Sequence, residues 1–325
     1  MRVYSQHHLT DRSTSLSACG HKTRLCFVQI YAILHLKVGD VMKKLVSIII
    51  CLTIFLSLDA CDSNEKSLSF DTNGDIHISL PDVGLENVIL CEASERGVWI
   101  ERSVCGQVFL LGQYKNNDNV MMDHFLVIVT EDKTFCKNLT AYEGQLNFAG
   151  NIELCDFDGD GDCEILLQQT VGMTSGAGSY LSRIFDYRDG EMLEILSSDS
   201  IFNKYSKNMG FSCTLLKNKE IRIENEFTDY SETFSMSDRP DEYFKWWYND
   251  DDSIAEQELL IDSFYEFMPI DTDFDGVYEV FCRQYTSLIG HFDGIGCTKI
   301  VLKYNETAAE FEIIDASFEL YKYES

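Results

Sequence analysis

Five carboxylates fall within the nine residues DFDGDGDCE: Asp156, Asp158, Asp160, Asp162 and Glu164. A second stretch, DTDFDGVYE, starts at Asp271, 115 positions after Asp156, and carries Asp271, Asp273, Asp275 and Glu279. Counted from the first Asp, both copies have Asp at offsets 0, 2 and 4, Gly at offset 5 (Gly161, Gly276) and Glu at offset 8. Alternate side chains of a curled loop converge on one point, and a glycine permits the sharp turn that curls it. Unneutralised, such a set is costly. Two unit charges ~4 Å apart repel by ~1 kcal/mol in water and ~4 kcal/mol at an effective dielectric near 20. Hard oxygen donors without His or Cys select Ca²⁺ over transition metals, and over Mg²⁺, which keeps a tight octahedron with several waters. Offset 6 is Asp162 in one copy and Val277 in the other, so that position offers a backbone carbonyl and the Asp162 side chain is dispensable. Two Ca²⁺ sites are therefore expected. The first has Asp156, Asp158, Asp160, Asp162 and Glu164; the second has Asp271, Asp273, Asp275, Val277 and Glu279.

The ligand order opens like an EF-hand loop, but Leu167 and Cys282 stand where the bidentate Glu of position 12 belongs. Each loop leads into an apolar strand-like run, then a glycine-rich turn (GMTSGAGS, IGHFDGIG), then a second strand (YLSRIFDY, CTKIVLKY). D-x-D-x-D-G-x-x-E before a strand resembles the FG-GAP and VCBS-type repeats of integrin-like β-propellers. The resemblance implies that each loop joins two strands of a blade and holds calcium.

Catalytic readings find less support. Metal-binding acids must stay ionised and make poor proton donors. GMTSGAGS lacks the lysine of a phosphate-binding loop, and neither G-x-S-x-G nor H-E-x-x-H occurs. Past residue 61 the histidines are His77, His124 and His291, with no metal-binding spacing. No catalytic residue is assigned. A binding module is expected, with a cell-envelope hydrolase (glycan or peptide) on the same scaffold as the alternative.

The elements that must position these loops read as strands. Short alternating runs recur between turns: NVILCEA, GVWIERS, QVFLLGQY, HFLVIVTE, EILLQQTV, SYLSRIFDY, EIRIENEF, YEVFCRQY, TKIVLKY and FEIIDASFELYKY. Three prolines and abundant β-branched and aromatic residues agree. The fold class is mainly β, antiparallel, with propeller-like blades and little helix. The one helical candidate is DSIAEQELLIDSFYEF, Asp252 to Phe267. The aromatics of Arg239–Ser253 (Tyr243, Phe244, Trp246, Trp247, Tyr248) suit either stacking on a sugar or closing over a core.

MKKLVSIIICLTIFLSLDAC, Met42 to Cys61, has a basic start, an apolar centre and a small residue before a cysteine. That is the anatomy of a secretory signal, and its apolar run is shorter than the roughly 20 residues a bilayer span needs. Its ending LDAC resembles the lipobox of bacterial lipoproteins, which implies lipidation at Cys61. Residues 1–41 are expected to lie upstream of the true start at Met42, since Lys37-Val38-Gly39 can be encoded by a purine-rich ribosome-binding sequence. The expected organisation is residues 1–41 outside the mature protein, 42–61 signal, 62–80 tether and 81–325 the β domain. The destination is the extracytoplasmic face of the cell membrane, with a protein or glycan partner.

The chain of 325 residues carries a formal charge of −28. Seven of its 26 basic and three of its 54 acidic residues lie in 1–61, which leaves 19 against 51, a net of −32. Such a surface repels nucleic acid, so no nucleic-acid partner is expected. Cys91, Cys105, Cys136, Cys155, Cys163, Cys213, Cys282 and Cys297 form no CxxC pair, and both bridges and buried thiols stay open.

Overall fold

The structure is a computed structural model. It describes residues 67–70, 76–94, 98–100, 104–114, 122–130, 133–139, 146–171, 180–188, 190–248, 253–255 and 258–323. The signal, Cys61 and the turn GMTSGAGS lie outside the described residues.

The described residues are mainly β and form four antiparallel sheets, none of them closed. The first sheet has seven strands: β1 (Ser67–Phe70), β2 (Ile76–Leu80), β3 (Leu85–Ala93), β4 (Val98–Ile100), β5 (Val104–Tyr114), β6 (Met122–Thr130) and β7 (Thr134–Leu139). They run in the order β1-β2-β3-β5-β6-β7, with β4 paired to β5. The second is a meander of β8 (Leu146–Cys155), β9 (Glu164–Val171), β10 (Tyr180–Arg188) and β11 (Glu191–Ser197). Helix α1 (Ser198–Tyr205) leads to the third sheet, β12 (Phe211–Leu216), β13 (Glu220–Asn225) and β14 (Ser231–Ser235). A 3₁₀ segment, Asp241–Trp247, precedes the fourth, the meander β15 (Leu260–Ile270), β16 (Glu279–Ser287), β17 (Gly294–Asn305) and β18 (Glu310–Leu320).

The second sheet separates two apolar cores. Side chains alternate across a strand, so Ile165 and Leu167 of β9, with Phe185 of β10, join Val108, Leu126 and Ile128 of the first sheet. Their neighbours Leu166 and Ile184 join Phe264, Cys282, Ile300 and Phe311 on the opposite side. This two-sided burial explains the continuous apolar run Ile165–Leu167, which would be an unstable choice for a strand with one wet face.

Three expectations are corrected. The segment Asp252–Phe267 supplies β15, not a helix. Its Ile261, Phe264 and Phe267 are buried at a spacing of three, which imitates helical periodicity. Register shifts between Ile261 and Phe264 and between Phe264 and Glu266 return each of them to the inward face. The helix that does form, α1, is closed by a reciprocal pair. Ser197 Oγ accepts from Ser200 N at 3.2 Å, and Ser200 Oγ accepts from Ser197 N at 3.0 Å. Finally, the stretch read as a tether contributes strands β1 and β2. Ile76, Ile78 and Leu80 of β2 alternate inward, and β2 pairs with β3.

Candidate metal centre

Each acidic loop joins the first and second strands of a four-stranded meander: Asp156–Cys163 between β8 and β9, Asp271–Tyr278 between β15 and β16. The two loops share a hydrogen-bond plan. The offset-0 carboxylate accepts the offset-5 glycine N–H, at 3.0 Å from Gly161 to Asp156 and 3.2 Å from Gly276 to Asp271. The offset-2 carboxylate accepts the offset-4 N–H: 3.1 Å from Asp160 to Asp158, 3.4 Å from Asp275 to Asp273. The offset-4 carboxylate accepts the offset-6 N–H, at 2.8 Å from Asp162 to Asp160 and from Val277 to Asp275. Offset 6 enters this plan through its backbone N–H, which Asp and Val supply equally.

The offset-8 glutamate clasps the loop. Glu164 Oε2 accepts the Phe157 N–H at 2.6 Å, and Glu279 Oε2 accepts the Thr272 N–H at 3.1 Å and hydroxyl at 2.8 Å. Phe157, fully buried, also anchors the first loop in the core, where it meets Phe311 edge-on. Burying one such ring is worth roughly 1.5–3 kcal/mol.

The loops touch each other. Tyr278 N donates to Asp156 O at 2.7 Å, and a side chain at Gly159 would meet Val277 at 3.5 Å. Two acid-rich loops from two meanders are thereby brought to one place.

Oxygens of Asp156, Asp158 and Glu164 lie within 4.8 Å of one another, as do those of Asp271, Asp273 and Asp275. The residues fit a hard divalent cation. Asp271 Oδ1 is shut off from solvent and accepts no hydrogen bond, an orphaned oxygen that a cation would satisfy. Glu164 is pushed up to about 9 by burial and then by the charges of Asp158, Asp186 and Asp156. Asp186 is pushed up to about 6 by burial, and Arg188 opposes this. Asp156 and Asp158 are also raised, again chiefly by burial. Glu279 behaves oppositely: burial would raise it, but Lys303 and Thr272 hold it below the ordinary glutamate range.

Three participants escaped the sequence reading. Continued by one pair beyond Phe185↔Ile165, the β9–β10 register sets Asp186 across from Glu164, and continued beyond Val280↔Leu302 the β16–β17 register sets Lys303 across from Glu279. Arg188 bonds both Asp158 and Asp186. Lys303 Nζ lies 2.6 Å from Glu279 Oε1 and 3.7 Å from Asp273 Oδ2. Only the hairpin lengths could have revealed these pairs.

The aromatic segment mostly closes over the core. Phe244 and Trp247 are buried, whereas Trp246 is 69% exposed, so Trp247 is not available to a ligand. A cleft of about 400 Å³ lies beyond the other end of β16, lined by Lys207, Leu260, Asp262, Ser287 and His291 among others. His291 Nδ1 sits 2.9 Å from Asp262 Oδ2. Among the described residues, the lining of the cleft includes neither a carboxylate pair nor a cysteine. Burial raises the Cys136 and Cys282 thiols, and Cys213 to about 12, which suits packing and opposes nucleophilic use.

Among known families, the one described as YybI C-terminal domain matches residues 209–319, roughly a third of the chain. That span covers the third sheet and nearly all of the fourth, and includes the second loop but not the first. No curated protein and no solved structure matches the chain.

Proposed function

We propose that this chain is a calcium-stabilised β module that acts by binding at the cell envelope, tethered to the membrane by a lipid on Cys61. The observation that carries the calcium reading is the loop plan repeated in two meanders, with three carboxylates gathered in each. A loop that already spends its backbone N–H groups on its own carboxylates has a fixed curl, so the remaining oxygens are organised before a cation arrives. Burial of the second sheet on both faces supports a blade-like stacking of sheets, in an open array related to the integrin-like propellers. Binding to a protein or glycan is favoured over catalysis because, among the described residues, the cleft beside His291 is lined by Asp262 as its one carboxylate, and Trp246 presents an exposed ring to a partner.

Removal and return of calcium tests the reading. A cation at 100 times its Kd stabilises the folded state by about 2.7 kcal/mol, so EDTA should lower the melting temperature by several degrees and excess CaCl₂ should restore it. A melting temperature indifferent to both rules out structural calcium.

A further inference from the structure

We infer that the cleft beyond the end of β16 binds the neutral, hydroxyl-rich end of a glycan. This rests on the binding reading above and gives it a place and a ligand class.

The cleft is built where the fourth sheet departs from regular pairing. Between the pairs Ile261↔Thr286 and Phe264↔Gln284, β15 holds one residue more than β16. Between Thr286↔Gly296 and Ser287↔Gly294, β17 holds one more than β16. A bulge takes a side chain out of the ladder and re-aims it. Asp262 lies in the first bulge, and its Oδ2 is 2.9 Å from Nδ1 of His291 in the β16–β17 hairpin. The walls are braced from the core. Gln284, fully buried, donates to Lys207 O at 3.0 Å and to Asp262 O at 2.9 Å, which ties the segment after α1 to β15. Tyr285 donates its hydroxyl to His291 O at 3.0 Å, and its ring centre lies 5.2 Å from that of the imidazole. A half-exposed imidazole is thus held by its backbone, by one ring nitrogen and by a neighbouring ring.

Asp262 and His291 both line the cleft, and among the described residues Asp262 Oδ1 and His291 Nε2 take part in no hydrogen bond. With Nδ1–H given to Asp262, Nε2 of the neutral ring is an acceptor, and a carboxylate accepts only. A ligand must therefore donate hydrogen bonds at two neighbouring points. A cation would meet Lys207 on the wall and an imidazole that can itself take a proton. An anion would meet Asp262 and a chain with 51 acidic against 19 basic residues beyond Cys61. Vicinal hydroxyls donate without charge. Leu259, Leu260 and Ile261 line the same cleft, and Leu260 is 45% exposed, an apolar strip for the C–H face of a sugar ring. Phe292, next to His291, is 86% exposed, and its ring occupies space over Gly290 that a Cβ there would enter, at 2.9 Å. A peptide added as a strand finds less. The carbonyls of Asp262 and Phe267 on β15 are already held by the Gln284 and Gln168 side chains.

The full chain should be applied to arrays of neutral oligosaccharides, acidic oligosaccharides and peptides, and the best neutral hit titrated by calorimetry. Binding is expected on the neutral sugars. Asp262→Ala and His291→Ala should each weaken it at least tenfold, and Phe292→Ala several-fold. All three side chains reach solvent, so the melting temperature should hardly move. Leu193→Ala, also exposed but on β11, should leave the affinity unchanged. A neutral-sugar affinity that Asp262→Ala and His291→Ala both leave untouched would overturn the site. Binding to peptides alone or to acidic sugars alone would overturn the ligand class while the binding reading stands, and binding to none of the arrays would overturn the inference outright. New reducing ends released from the bound oligosaccharide would sink the binding reading itself in favour of hydrolysis.

Discussion

Gly159 and Phe274 occupy the same place in the two loops, offset 3, and both adopt left-handed backbone, with φ of +81° and +63°. For a residue with a Cβ that conformation costs roughly 1–2 kcal/mol. Phe274 has no compensating burial, since 91% of its surface is exposed. Phe274→Gly should therefore raise stability by about 1 kcal/mol in urea denaturation with calcium present, the gain trimmed by the greater freedom of glycine in the unfolded chain. A loss of stability would mean that the ring holds the loop in a way its exposure does not suggest. At this scale much was legible beforehand. Comparing the two copies set the four shared acids apart from offset 6, where Asp162 and Val277 each donate a backbone N–H to the offset-4 carboxylate. Asp186 and Lys303 were not legible. They lie 22 and 24 residues beyond their glutamates, and only the strand register brings them opposite.

The elements hold together through one buried ion pair more than through any exposed one. Arg239 Nη1 and Asp293 Oδ1 lie 2.9 Å apart, both residues nearly without solvent contact. Asp293 Oδ2 also accepts the Tyr243 hydroxyl at 2.8 Å, and Arg239 stacks on the Tyr243 ring. This cluster pins the 3₁₀ segment Asp241–Trp247 to the β16–β17 hairpin. Asp293→Ala leaves a guanidinium buried without its partner, which should cost about 3–5 kcal/mol. Chemical denaturation should show that loss together with red-shifted tryptophan emission as Trp247 gains water; a change under 1 kcal/mol would count against the clamp. Strands were readable wherever apolar and polar residues alternate. Every one of the ten runs singled out lies in or overlaps a strand. The failure at β15 has a physical cause, because two bulges reset the alternation and leave a spacing of three that a helix would also produce. Helix α1 carries a Ser-x-x-Ser box in place of the usual Ser-x-x-Glu, and it is only eight residues long.

At the scale of the whole molecule, charge bears on the anchor proposed above. The part beyond Cys61 carries 51 acidic and 19 basic residues, so anionic headgroups repel it, and an anchor at Cys61 would have to hold it through acyl chains, each buried CH₂ contributing about 0.8 kcal/mol. Cys61→Ser should move the protein from the membrane pellet to the soluble fraction. Unchanged fractionation would defeat the lipid anchor. The general architecture was evident from strand-like runs and turns, but the division into four open sheets was not. Strand order depends on which edges meet, and alternation within a run says nothing about that.

The sandwiched second sheet has a consequence for how the chain comes apart. Neither of its faces can meet water without exposing Leu166 and Ile184 on one side or Ile165, Leu167 and Phe185 on the other. Stripping away the first sheet, or the third and fourth together, would therefore leave a remnant too sticky to persist. Denaturation should proceed as one cooperative event, and the amides of β9, at the centre of that sheet, should be among the slowest to exchange their hydrogens with solvent.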